Sequence, residues 1–213
     1  MLFNGFKTID VVGPAGSLRT SMGGRGAPLL LLHGHPQTQA MWHRVAGALS
    51  QSFTVVMMDL RGYGDSARVA SDAEHTPYAK RAMAQDAVAV MRHYGFDRFQ
   101  VLAHDRGARV AHRLAPDHTD KVRRPMLLDI APTLGMYDNT SDAFARAYWH
   151  CFFLIQPPPL PEVLIESDPV RYLRHLMGHR HAGLAAFSPE AMAEYERCAQ
   201  IPGTATSLCE DYR

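Results

Sequence analysis

Val101-Leu102-Ala103-His104-Asp105-Arg106-Gly107-Ala108-Arg109 is the stretch that decides the fold. An apolar run, Phe99 to Ala103, reads as a strand buried on both faces. It passes with almost no spacer into a helix predicted over Gly107 to Ala115 and stopped by Pro116. The joint has the spacing small-x-Asp-x-Gly, that of a nucleophile elbow. So tight a turn presses backbone on backbone, which is why Ala103 and Gly107 are small. It lifts the central side chain, Asp105, above the sheet edge at a helix N-terminus, where free N–H groups and the helix dipole favour an ionised carboxylate. Such a carboxylate can attack carbon. An isolated Asp-x-Gly can equally be a helix cap, so the reading depends on its surroundings.

Toward the N-terminus, Thr8 to Val12 and Leu18 to Met22 flank Gly13-Pro14-Ala15-Gly16 and read as a hairpin. Pro28 to Leu32 and Phe53 to Met58 are short continuous apolar runs, again buried strands. Each ends in a glycine-bearing loop: His33-Gly34-His35-Pro36 after the first, and Asp59 to Ser66, taken as scaffolding, after the second. Met41 to Leu49 is expected to be helical. Met83, Ala87, Met91 and Tyr94 recur on one helix face within Pro77 to Tyr94. Beyond the elbow, Met126 to Ile130 is a further strand. Strands separated by helices imply a mostly parallel sheet with helices on both faces, an α/β fold. After Pro132 apolar strands stop, and the chain divides into a sheet-bearing core at 1–134 and a helical cap at 135–213. Pro157-Pro158-Pro159-Leu160-Pro161 reads as a rigid connector.

Composition narrows the classes. Of 213 residues, 46% are hydrophobic and 20% charged, enough to bury a core. A net charge of +1, from 22 basic and 21 acidic residues, lacks the basic excess of a nucleic-acid or membrane-surface protein. Three cysteines without metal-type spacing argue against a disulfide scaffold or metal site. No signal sequence or membrane-length apolar run is apparent, so a cytoplasmic location is expected.

The ordered segments resemble the α/β-hydrolase fold and, within it, the fluoroacetate (haloacetate) dehalogenases. The matching stretches are His33 to Thr38, Met41 to Val45, Asp59 to Ser66, His75 to Met83, His104 to Arg109, Leu128 to Thr133 and Cys209 to Arg213. The Asp-Arg-Gly-x-Arg run is the most specific of them. The resemblance implies that Asp105 displaces halide from a small halogenated carboxylate to form an ester, which water then hydrolyses to a hydroxyacid such as glycolate. It implies that the guanidinium groups of Arg106 and Arg109 hold the substrate carboxylate, and that the backbone N–H groups of His35 and Arg106 form the oxyanion hole. Asp129, after its strand, matches the acid that orients the catalytic histidine. His150 and Tyr212 match the halide-binding pair. No metal or organic cofactor is implied, and dimers are common in the family, which leaves a homodimer open.

Two departures stand out. The tryptophan usual after the halide-site histidine is Cys151 here, and Trp149 would point about 200° away on a helix. That weakens the expectation for fluoride relative to chloride or bromide. In addition, the catalytic histidine of such hydrolases comes last in chain order. None of the twelve histidines here matches it, and His175, His179 and His181 belong to the cap. The expectation is of a fold lacking its C-terminal strands, stalled at the ester after one turnover and prone to aggregate at a raw sheet edge. Two other readings stay open. One is an epoxide hydrolase with Tyr148, Tyr172 or Tyr195 as proton donor; the other is a catalytically incomplete remnant that binds small carboxylates.

Overall fold

The structure is a computed structural model that describes residues 2–179 and 182–213, so His181 lies outside the described residues. The N-terminal part builds a six-stranded mixed sheet in the order β1-β2-β4-β3-β5-β6. The strands are β1 (Phe6–Gly13), β2 (Gly16–Gly24), β3 (Ala27–Leu32), β4 (Phe53–Met58), β5 (Phe99–His104) and β6 (Val122–Leu128). The hairpin β1–β2 is antiparallel, as is β2–β4, whereas β3 pairs parallel with both β4 and β5, and β5 pairs parallel with β6.

Side chains of β3 and β4 alternate between two cores. Leu30, Leu32, Val56 and Met58 pack with α2 (Lys80–His93) and α3 (Asp105–Asp117). Leu29, Leu31, Val55 and Met57 pack on the other face with Trp42 and Ala46, the latter opening α1 (Ala46–Leu49). That double burial is why these strands are unbroken apolar runs rather than alternating ones. Each fully buried aliphatic side chain contributes about 1.5–3 kcal/mol.

Three boundaries differ from expectation. Met41–Leu49 is split into a 3-10 segment, Gln39–Arg44, and the single turn of α1. Strand β6 starts earlier and ends at Leu128, so Ile130 lies outside it. Helix α3 does not stop before Pro116 but runs to Asp117. In the last turn a proline forfeits one backbone hydrogen bond, and the end is closed anyway by His118 N–H donating to Leu114 O at 3.0 Å.

From residue 133 onward the chain is helical: α4 (Thr133–Asp138), α5 (Asp142–Ala147), α6 (Trp149–Leu154), α7 (Leu160–Ser167), α8 (Pro169–Gly178), α9 (Pro189–Ala199) and α10 (Thr204–Tyr212). These helices lean on the sheet's loops, with Leu173, Ala191 and Tyr195 closing over Ala40. Leu154, Ile165, Ala205 and Cys209 form a core internal to the cap. Among the described residues no helix is long and apolar enough to cross a membrane.

Candidate active site

The elbow is built by contact, not by propensity. Asp105 has φ +49°, the left-handed region that non-glycine residues rarely adopt. It is held there by the approach of α3 to the loop after β3. A Cβ on Gly107 would lie 2.3 Å from His33 O and 2.6 Å from Leu32 O, so only glycine lets the helix sit that close. A Cβ on Gly34 would lie 2.5 Å from the Cβ of Asp105. The same approach delivers the His35 N–H to Asp105 Oδ1 at 2.9 Å.

The loop after β3 is fixed by His33, which is fully buried. Its Nε2 accepts from Leu60 N–H at 3.0 Å, so its Nδ1 carries the proton and donates to Gly34 O at 3.0 Å. Burial pushes its pKa down to about 4, and the ring is neutral. The neighbouring turn hangs on Asp59, which accepts from Gln39 N–H at 2.7 Å and Asp65 N–H at 3.1 Å. His33 and His35 are thus not solvated loop residues but parts of the frame.

Asp105, His35, Arg106, Arg109, Asp129, His150 and Tyr212 all line one cavity of about 860 Å³ between sheet and cap. These seven were proposed from five separate parts of the sequence, and the fold brings them together. The His35 and His150 rings stack at 6.0 Å with 5° between planes, and Tyr212 meets both edge-on at 5.0 and 6.0 Å. Burial, reinforced by His150, pushes the His35 imidazole well below its ordinary pKa, so it too is neutral. Cys151 and Tyr148 also face the cavity; Trp149 does not line it and packs instead among Phe153, Tyr172 and His175. Asp129 is exposed just beyond β6 with φ +48°.

The two arginines are held differently. Arg106 is 7% exposed, donates Nε to Asp211 Oδ2 at 2.8 Å and lies with Cζ 3.9 Å over the Tyr212 ring. Arg109 donates to Thr133 Oγ1 and lies 2.9 Å from Met136 Sδ, while its Nε is buried without a hydrogen-bond partner.

The sequence motifs do not point to the group beneath Arg106. Asp211 is 3% exposed and accepts from Arg106, from Tyr63 OH at 2.7 Å and from the Lys80 ammonium. Burial alone would raise its pKa, but Arg106 and Lys80 outweigh that and hold it below the usual carboxylate range. Residues 63, 80, 106 and 211 share no motif or period, so only the folded chain reveals the cluster.

An α/β-hydrolase-fold family model matches residues 27–150. The chain is 43% identical over its whole length to a fluoroacetate dehalogenase of Burkholderia sp, spanning 70% of that protein. It is 38% identical over 89% of its length to a soluble epoxide hydrolase of Corynebacterium sp. (strain C12), spanning 65% of it. A solved structure from Nostoc sp PCC 7120, assigned as an α/β hydrolase, superposes on all of this chain and 73% of its own with a TM-score of 0.97 and 52% identity. With the elbow, the sheet order and the overlying helices in place, the chain belongs to the α/β-hydrolase-fold family.

Proposed function

We propose that this hydrolase acts on haloacetates through an aspartyl ester on Asp105. The observation that carries the reading is the convergence of a carboxylate, two arginines and the His150–Tyr212 pair on one cavity. A neutral substrate has no use for paired guanidinium groups, whereas a carboxylate can take several charge-assisted hydrogen bonds from them. In the proposed first step the free Asp105 oxygen bonds to the α-carbon, and the carbon–halogen bond breaks with its electron pair going to halide. The halide departs toward His150 and Tyr212. The carboxylate oxygen already facing His35 N–H becomes the ester carbonyl oxygen. Negative charge that develops on it during hydrolysis therefore meets a donor in place.

Hydrolysis also needs a base for water. Asp129 stands on the wall of the same cavity, where it would orient such a base. Incubation with chloroacetate should release chloride in a manner that depends on Asp105. Intact-mass and peptide analysis should place a carboxymethyl ester on Asp105. Chloride release that persists undiminished in Asp105→Asn would overturn the reaction. Because Cys151 offers no indole donor to a departing fluoride, chloroacetate should react faster than fluoroacetate.

A second reading, epoxide opening with Tyr148 as proton donor, is favoured by the place of Tyr148 on the cavity wall. Tyr172 and Tyr195 do not line that cavity, and the Tyr195 hydroxyl is engaged by Gln37 at 3.2 Å. Assaying a styrene-type epoxide beside chloroacetate separates the two.

A further inference from the structure

The geometry points to Asp211 as a positioning residue: through Arg106 Nε it keeps the guanidinium presented to a substrate carboxylate and off the carboxylate of Asp105. This rests on the haloacetate reading above and adds to it a residue that never touches substrate.

The cluster is assembled from four elements. Asp211 comes from α10, Arg106 from the first turn of α3, Lys80 from the first turn of α2, and Tyr63 from the loop after β4. The Asp211 carboxylate takes Lys80 on Oδ1, and both Tyr63 OH (2.7 Å) and Arg106 Nε (2.8 Å) on Oδ2. Arg106 is left with its two Nη groups, which donate to no described residue and belong to a side chain that lines the cavity. The stack on Tyr212 at 3.9 Å sets the plane of the guanidinium, and the Nε bond sets its rotation within that plane.

Charge decides what happens if Asp211 is neutralised. Arg106 adjoins Asp105 in sequence, and a buried arginine without its carboxylate seeks another. The other carboxylate acting on Arg106 is that of Asp105, the candidate nucleophile. An Arg106 turned toward Asp105 would withdraw the clamp from a substrate carboxylate. Asp211 prevents this by satisfying Arg106 at Nε, and Lys80 and Tyr63 hold Asp211 itself in place.

The test compares chloroacetate with neutral 2-chloroacetamide, scoring chloride release in excess of that from Asp105→Asn. In Asp211→Asn, release from chloroacetate should fall at least about tenfold in its dependence on substrate concentration, the loss of one charge-assisted hydrogen bond. Release from chloroacetamide, which needs no clamp, should fall much less. Tyr63→Phe removes one donor to Asp211 and should show a smaller loss in the same direction; it serves as the deciding variant if Asp211→Asn does not fold. Equal loss with both substrates, or none with either in folded variants, would overturn the inference. Failure of wild type to release Asp105-dependent chloride would instead overturn the haloacetate reading.

Discussion

At the scale of the residue, the elbow rests on what is missing from Gly107. Alanine there would drive a Cβ into two carbonyl oxygens of the β3 strand and its loop, neither of which can swing aside as a side chain would. We expect Gly107→Ala to cost about 2 kcal/mol or more in urea unfolding and to displace Asp105 from the His35 N–H. His33 supplies a pH signature. Its folded pKa is about 4 against 6.5 in the open chain, so the unfolded state binds its proton first as pH falls. Its contribution is complete above pH 6.5 and is lost on descent toward pH 4, amounting to as much as about 3 kcal/mol. Asp59, pushed up to about 7 by burial, acts in the opposite sense, losing stability as pH rises toward 7. Comparing wild type with His33→Ala cancels Asp59. The stability gap between the two should widen from about pH 4.5 to about pH 7, and a constant gap would refute the assignment of a buried neutral His33.

At the scale of the element, β6 differs from every other strand of the parallel set. It pairs with β5 on one side only, and Met126, Leu127 and Leu128 are exposed at 60, 36 and 37%. An apolar edge with unpaired backbone groups is a template for further strands. The chain should therefore self-associate at micromolar concentration, and Met126→Lys should reduce light scattering without altering helix content. Strands β3, β4 and β5 were legible in the sequence because burial on both faces keeps them mostly apolar, with Thr54 and Gln100 the interruptions within the runs. The elbow was legible because its sterics dictate residue size. The ends of α3 and β6 were not, since a terminal proline costs one hydrogen bond and an edge strand has no partner to define its last residue. Of the seven cavity residues, Asp105 and His35 were legible through local motifs and the rest through the stretches that carry the family resemblance. Asp211 was not, since its partners come from loops and helices that only tertiary packing brings into contact.

At the scale of the whole molecule, the cap has two unlike halves. Helices α4 and α5 bury no residue at all, whereas α10 buries seven and ties into the core through Asp211. Hydrogen exchange should follow this division. Amides of α10 should open only with global unfolding, and those of α4 and α5 should exchange orders of magnitude faster through local opening. Equal protection across the cap would contradict it.

The joint at α10 has a consequence for traffic. Lifting that helix would break the buried Arg106–Asp211 pair, a cost of several kcal/mol that no small anion repays on entry. The door must be elsewhere, and the side of the cavity roofed by α4 and α5, where Met136 and Phe144 stand on its wall, is the side free to move. What passes there, and how fast, is then governed by the bulk of those two side chains, with the Arg106–Asp211 pair left undisturbed while the visitor comes and goes.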